Sequence, residues 1–377
     1  MRWQGAASDL SALDLAVQVT RDALAAACFD VSEVNQLIFG GTVPQPNSFY
    51  ASPWVAARLG MTGVGGPSIA QACATAAACL AAAASASEHE GGTTQLVVTA
   101  DRISNGPLLI YPRSASTGGA PLTTHWVLDS FTADPWTGES MLHTAEGTAQ
   151  DAGFTRQQCD ELTLLRFSQY QDALRADSAL QKRYLRPIVI ESRKSRKVLD
   201  TDQGISEYSA ASLASLSPSI PGGVVTAGTQ THPADGTAGA VVTSTEKAER
   251  LADGQPIVRL LSIEFARAAK GRMPKAPALA AMKALDAAGK SVSDLKGVTT
   301  HNPFAVNDLW LHRELGFPLE RMNQLGCSLI YGHPQGPTGL RALAELAQSI
   351  ALEGGGIGLF TGCAAGDMGA AVVIAVA

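Results

Sequence analysis

Apolar residues recur at helical spacing from Asp9 to Ala27 (Leu10, Leu13, Leu15, Ala16, Val19, Ala23, Leu24), and Ser8 or Ser11 is placed to cap the first turn. The spacing predicts a helix. The next apolar run, Gln36-Leu-Ile-Phe-Gly, is short and reads as a strand, followed by a helix over 51–59 and a Gly/Pro-rich loop over Gly60–Pro67. Ala72–Ala86 predicts a close-packed helix of small residues, and Gln95-Leu-Val-Val-Thr-Ala a buried strand.

Between about Pro112 and Ser217 the pattern changes. Gly, Ser, Thr and Pro punctuate residues 112–140, helical stretches follow at 141–153 and 155–176, and the segment is loop-rich and more polar than its flanks, as an insertion would be. Strand-like runs resume at Gly236–Ser244 and Ile257–Phe265, then a helix (Pro277–Ala288), a strand (Gly297–Thr300) and a helix (Val306–Leu315). The last quarter repeats the order of the first: a Gly-rich loop (332–339), a helix (340–352), a strand (Gly356–Phe360) and a terminal strand (Ala370–Val376). Alternating strands and helices predict an α/β fold, and two similar halves predict a duplication with a site between them. The expected boundaries are 1–113 with about 218–262 for the N-terminal half, 114–217 for the inserted loop domain and 263–377 for the C-terminal half.

A chain of 377 residues, 46% apolar and 16% charged, has material for more than one core unit and is not expected to be disordered. Its formal net charge of -6 leaves no electrostatic footprint for nucleic acid. The one basic cluster, Arg193–Lys197, reads as a solvated face, with an anion or nucleotide contact as the other option. Leu80–Ser87 is too short to span a bilayer and Met1-Arg-Trp-Gln-Gly is not a signal peptide, so the expectation is a cytoplasmic protein with neither membrane nor nucleic acid as partner. Six cysteines (28, 73, 79, 159, 327, 363) are dispersed without a CxxC pair, which predicts reduced thiols, most of them small core residues.

Two of them need a different explanation. Cys73, in Gln71-Ala-Cys-Ala-Thr75, stands where a loop enters a helix, and the N–H groups and positive dipole end there would favour a thiolate nucleophile. A core cysteine in an Ala-rich helix is the plainer reading, which Cys79 keeps. His333, in Gly-His-Pro-x-Gly ahead of a helix, is either structural or an imidazole held by a rigid loop as base beside a cysteine. Cys363 follows a buried strand and opens Cys-Ala-Ala-Gly-Asp-Met-Gly, a turn with accessible amides, and fits core or function equally. His301-Asn302-Pro303-Phe304 ends a strand, and Pro303 stiffens a turn that either aims two polar side chains at one point or merely caps a loop.

These four segments, in this order and at this spacing, resemble those of the thiolase family, which carries a nucleophilic cysteine at a helix start, an Asn-Glu-Ala-Phe or His-Asp-Cys-Phe segment, Gly-His-Pro and Cys-x-Gly. The similarity continues through Glu139–Glu146, Val225–Gly228, Asp235-Gly236 and Gly332–Gly339, and so covers nearly the whole chain. The resemblance implies duplicated α/β halves in a layered α-β-α-β-α arrangement. It also implies CoA-dependent cleavage of a 3-oxoacyl-CoA, or the reverse Claisen condensation, through an acyl-Cys73 intermediate. In that scheme His333 is the base, Cys363 the acid/base thiol, and His301 helps hold an oxyanion. A second oxyanion hole would use the N–H groups of Cys73 and Ala365; Asn302, Phe304 and Met141 would shape the oxyanion and acyl pocket, and Thr231 would touch the CoA tail. No metal and no cofactor is implied, CoA being a substrate, and a homodimer or homotetramer is expected, with a hetero-subunit as another option.

The departures bear on substrate and activity. Cys363-Ala364-Ala365 replaces Cys-x-Gly and narrows the pocket by a methyl group, Asn302-Pro303 replaces an acidic pair member, and Trp136 and Pro303 are placed to shape the site for bulky groups. The family's first strand has no counterpart ahead of the first helix, so that strand is missing, supplied by a partner, or encoded upstream of an incorrectly assigned start. Two other readings stay open: a ketosynthase-type condensing enzyme, given His301 beside His333, and a weakly catalytic acyl-CoA-binding subunit of a complex.

Overall fold

The computed structural model describes residues 1, 5–7, 9–89, 92–113, 118–191, 195–252 and 256–377; Ser8 and, of the basic cluster, Arg193 and Lys194 lie outside this set, as do residues 2–4. In chain order the N-terminal half runs α1 (Ala12–Ala26), β1 (Gln36–Gly40), α2 (Ala51–Arg58), β2 (Ser68–Ile69), α3 (Thr75–His89) and β3 (Gln95–Arg102). The loop region holds a hairpin, β4 (Leu108–Tyr111) and β5 (Leu122–His125), then α4 (Leu128–Thr132), α5 (Met141–Ala152), α6 (Arg156–Ala173), α7 (Arg175–Ser178), a second hairpin, β6 (Ile188–Glu191) and β7 (Arg196–Leu199), and α8 (Ala210–Ala214). β8 (Asp235–Val242) and α9 (Thr245–Leu251) return to the first half. The second half follows as β9 (Val258–Arg267), α10 (Ala276–Ala287), β10 (Leu295–His301), α11 (Ala305–Leu315), α12 (Ser328–Tyr331), α13 (Thr338–Leu352), β11 (Gly356–Ala364) and β12 (Met368–Val376).

Each half builds one mixed sheet, in the order β2-β1-β3-β8 and β10-β11-β12-β9. β1 lies parallel to β2 and β3, as β10 does to β11, while β8 and β12 are antiparallel to the strands before them. Between the sheets, α3 and α13 share one apolar core with Val97, Val372 and Ile374, through Ala76, Ala83, Leu343 and Leu346. α1 and α2 cover the outer face of the first sheet, α10 and α11 that of the second. The layers are therefore α-β-α-β-α. Small residues make the middle layer possible: a side-chain carbon at Gly339 of α13 would stand 2.8 Å from Ala76 Cβ of α3, and one at Gly40 of β1 2.8 Å from Cys79 Sγ.

Two local readings change. The helix expected from Ala72 starts at Thr75, because Ala72 adopts φ 45° and Thr75 Oγ1 holds the turn, accepting from Gln71 N at 2.8 Å and donating to Ala72 O at 2.7 Å. Cys73 thus precedes the helix. Cys363 does not open a turn; it lies within β11 opposite Gly369, and the turn falls between Ala364 and Met368. No helix among the described residues is long and apolar enough to cross a membrane.

The loop region is tied to the C-terminal half by a buried ion pair. Arg166 of α6 donates through Nε to Asp308 of α11 at 2.8 Å, and its Nη1 donates to the carbonyls of Leu319 and Met322 at 2.8 and 2.9 Å. Asp308 also accepts from Thr300 Oγ1, Asn302 Nδ2 and Asn323 Nδ2. Both charged side chains are fully enclosed. Removing one partner strands the other charge, so Arg166→Met should lower unfolding free energy by about 3–5 kcal/mol in urea titration. Arg175→Ala, which breaks an exposed pair with Asp172, should cost no more than about 0.5 kcal/mol in the same measurement.

Candidate active site

The loops that precede the two central helices meet at Cys73. His333 Nε2 lies 3.0 Å from Cys73 Sγ, and His333 Nδ1 lies 2.7 Å from Thr338 Oγ1 in the first turn of α13. If Nδ1 donates to Thr338, Nε2 is left as the acceptor for the thiol proton, the arrangement a general base needs. The histidine loop is fixed from both sides: His333 N donates to His232 O at 2.9 Å, Gln335 takes φ 57°, and Gly336 N donates to Asp101 Oδ2 at 2.9 Å. Asp101, buried at the end of β3, also accepts from Thr42 N and Val43 N. Burial raises its carboxyl to about 6 in spite of these donors.

The electrostatics of the nucleophile differ from the sequence expectation. Burial pushes the Cys73 thiol up to about 12, with the Asp101 carboxylate adding to the rise, although the N–H groups of Ala365 and of Cys73 itself pull the other way. Burial also holds His333 well below its usual range, and neighbouring His301 adds to that. The resting pair is a neutral thiol and a neutral imidazole. The helix start does not offset this: the helix begins two residues later, and for the half-buried Cys73 the loss of water outweighs the two amide donors.

His301 ends β10 and stacks on His333, ring centres 3.8 Å apart and planes 23° from parallel. Its Nδ1 lies 3.0 Å from Ser328 Oγ, while its buried Nε2 has no partner among the described residues. Burial pushes it down to about 3. Cys73 Sγ and ring nitrogens of His301 and His333 lie within 4.8 Å of one another, a donor set with which a soft divalent cation is compatible. Cys363, buried, accepts a hydrogen bond from Asn307 Nδ2 at 3.3 Å; burial, and the Cys73 sulfur nearby, drive its thiol far above the ordinary range.

The remaining residues separate. Ala365 directs its N–H at Cys73, and Phe304 packs in the same apolar cluster as Cys363, with half-buried Met141 against it. Thr231 Oγ1 donates to Ser328 O at 2.5 Å, so its hydroxyl is engaged within the protein. Asn302 does not face the pocket: its Nδ2 donates to Asp308 at 2.8 Å and its Oδ1 accepts from Ser328 Oγ and Leu329 N, because the buried carboxylate claims the amide. Trp136 lies half-exposed under the cations of Arg267 and Lys270. Sequence reading passed over Ser328, Thr338, Asn307 and Asp101. Thr338 lies within the recognised Gly-His-Pro segment, five residues after His333, and was the most accessible of these.

The comparisons with known proteins agree with this architecture. The family described as thiolase, N-terminal domain, matches residues 1–246, and thiolase, C-terminal domain, matches 254–376. The chain belongs to the thiolase family. It is 29% identical to the acetyl-CoA acetyltransferase of Escherichia coli (strain K12) over 99% of this chain and 95% of that protein. It is 30% identical to the 3-ketoacyl-CoA thiolase of Photobacterium profundum over 96% of this chain and 91% of that one. Among solved structures, the Bacillus anthracis acetyl-CoA acetyltransferase superposes with TM-score 0.91 at 25% identity, covering 100% of this chain and 95% of that one. The human mitochondrial 3-ketoacyl-CoA thiolase in complex with CoA shares the fold at TM-score 0.91 and 23% identity, covering 100% of this chain and 94% of that one.

The neutral resting pair sets a pH profile. A thiol near 12 is almost wholly protonated at neutrality, and its thiolate fraction rises about tenfold for each pH unit below that value. Iodoacetamide labelling of Cys73, followed by peptide mass spectrometry, should therefore accelerate about tenfold per unit from pH 7 to 10. A plateau below pH 8 would reveal a thiolate–imidazolium pair instead.

Proposed function

We propose that this protein is a thiolase in activity as well as family: it cleaves a 3-oxoacyl-CoA with CoA, or runs the reverse condensation, through an acyl-Cys73 intermediate. The carrying observation is the convergence of Cys73 Sγ, His333 Nε2 and His301 at one point, with the Cys363 thiol close enough to feel the Cys73 sulfur. In the cleavage direction Cys73 attacks the 3-oxo carbon as its proton passes to His333. The tetrahedral oxyanion collapses, the C2–C3 bond breaks, and its electron pair stays on C2 as the acetyl-CoA enolate. Cys363 protonates that carbon. CoA then attacks the Cys73 thioester, giving its thiol proton to the Cys363 thiolate, and Cys73 leaves and regains the proton held by His333.

The charge that develops needs donors in place beforehand. The N–H groups of Cys73 and Ala365 serve the oxygen of the acyl group on Cys73. His301 serves the thioester oxygen of the enolate when Nε2 carries its proton, the tautomer in which the Ser328 hydroxyl turns from Asn302 Oδ1 to His301 Nδ1. Ser328 is therefore a positioning residue. In this reading Met141 and Phe304 bound the acyl pocket, and Thr231, its hydroxyl given to Ser328 O, lies beside the CoA tail rather than bonding it. The reaction calls for no metal and no cofactor beyond CoA as substrate. The described cysteines are unpaired, which suits the reducing cytoplasm.

A second reading, a ketosynthase-type condensing enzyme, draws on the His301–His333 stack beside the nucleophile. The hydrogen-bonded second thiol favours the thiolase. For assembly, Leu108 and Ile110, both exposed on one face of the β4–β5 hairpin, are the apolar positions we assign to a homodimer or homotetramer contact.

Acetoacetyl-CoA with CoA should lose its enolate absorbance in the presence of the protein. Cys73→Ala should abolish this, and Cys363→Ala should slow it by about 10²–10⁴-fold, the usual worth of a positioned proton donor. Absence of turnover with every 3-oxoacyl-CoA from short to aromatic would remove the proposal, and decarboxylation of a malonyl thioester retained in Cys363→Ala would favour the ketosynthase reading. Ile110→Asp should convert an oligomer into a monomer by light scattering on a sizing column.

A further inference from the structure

The resting proton pattern around His301 is the reverse of the one its oxyanion role needs. Asn302 Nδ2 donates to the Asp308 carboxylate at 2.8 Å, which turns Asn302 Oδ1 toward Leu329 N and the Ser328 hydroxyl. An amide oxygen brings no proton to a hydrogen bond, whereas an imidazole brings one. All the contacts are therefore met in one arrangement: Ser328 Oγ donates to Asn302 Oδ1 at 3.1 Å and accepts from Asn302 N at 3.1 Å and from His301 Nδ1 at 3.0 Å. His301 then carries its proton on Nδ1. Its buried Nε2, which has no partner among the described residues, is a bare lone pair.

His333 repeats the arrangement. With Nδ1 donating to Thr338 Oγ1 at 2.7 Å, its Nε2 lone pair meets Cys73 Sγ at 3.0 Å. The stack, 3.8 Å between ring centres, holds the two imidazoles side by side, and a ring nitrogen of each lies within 4.8 Å of the other and of the sulfur. Since Ser328 takes His301 Nδ1, the nitrogen left to act is Nε2. The Nδ1 bonds to Ser328 and Thr338 are of the kind that fix the tautomer and ring of a metal-ligating histidine. Thiolate with imidazole selects zinc and its neighbours over magnesium or calcium, which take oxygen ligands.

The geometry points to a site for a zinc-class divalent cation on Cys73 Sγ, His333 Nε2 and His301 Nε2, its fourth position open, in which the ion holds the nucleophile in a reversibly closed state. Half-buried Cys73 gives the ion its entry. Sulfur and nitrogen ligands around tetrahedral zinc stand about 3.3–3.6 Å apart, so binding loosens the Cys73–His333 contact slightly and draws the His301 ring in. The thiol proton passes to solvent as the sulfur–metal bond forms. A bound ion occupies the lone pair that must be protonated to hold an oxyanion, so ion and 3-oxoacyl-CoA exclude each other. That consequence, unlike the site itself, rests on the activity proposed above.

Cobalt(II) is the probe, added to metal-free Cys28→Ser protein, which lacks the exposed thiol. It should bind at about one ion per chain with thiolate-to-cobalt charge-transfer absorption, and zinc should displace it. Cys73→Ser should remove that absorption. His301→Asn should weaken cobalt binding at least about a hundredfold and Ser328→Ala about 10–100-fold, with the circular dichroism spectrum unchanged. Zinc, but not magnesium, should block iodoacetamide labelling of Cys73, and a chelator should restore it. Absence of the charge-transfer band, a band that survives Cys73→Ser, or an affinity indifferent to His301→Asn overturns the site. Labelling or turnover untouched by saturating zinc overturns the closed state. Cobalt binding is read without acyl-CoA, so a protein that binds cobalt at these residues but turns over no 3-oxoacyl-CoA upholds the site and removes the activity.

Discussion

The Asp308 carboxylate, buried in α11, is the constraint through which the site is assembled. It takes Arg166 from the loop region, Thr300 from β10, Asn323 from the segment before α12, and Asn302 from the turn after β10. A buried ion pair is weak evidence of stability, since desolvation offsets most of its attraction. Its consequence here is positional. With its amide nitrogen given to Asp308, Asn302 presents its carbonyl oxygen to Ser328, and Ser328 faces His301 Nδ1. A carboxylate at residue 302 would sit against Asp308 and repel it, so the amide that departs from the family's acidic residue suits this network.

Burial governs the chemistry as firmly as geometry does. The same exclusion of water raises both thiols and lowers both histidines, so charge separates only as bonds form. A helix end offers about 0.3–1 kcal/mol to a charge in its first turn, less than the cost of enclosing a thiolate. That balance defeats the sequence argument for a resting thiolate at Cys73. A helix start is visible in the sequence, whereas the groups that gather around the Cys73 sulfur come from distant segments.

Much of the fold was legible because its signals are local. β1 lies on the five residues that the apolar run marks, and α1, α5, α6 and α10 fall within a few residues of their periodic stretches. The order of the two cysteines and two histidines was legible for the same reason, being a property of short segments. Ser328, Asn307 and Asp101 were not. Their roles depend on contacts 27, 56 and 235 residues away in sequence, to His301, Cys363 and Gly336, and nothing around them marks them as different from other small polar residues. Asn302 was legible as a departure but not in its direction, since only the position of Asp308 decides which way the amide turns.

Duplication explains why the chemistry is divided as it is. Cys73 precedes α3 and His333 precedes α13, so the pairing of two equivalent central helices brings two equivalent loops together, one bearing the nucleophile and the other its base. The strand ends follow the same equivalence: β1 and β3 run parallel to finish near Thr42 and Asp101, β10 and β11 to finish at His301 and Cys363. In the first half the two positions bond to each other and to Gly336, holding the histidine loop. In the second half they carry the unpartnered imidazole nitrogen and the second thiol. One half thus supports the base that the other half's residues work beside, and neither half alone contains the site.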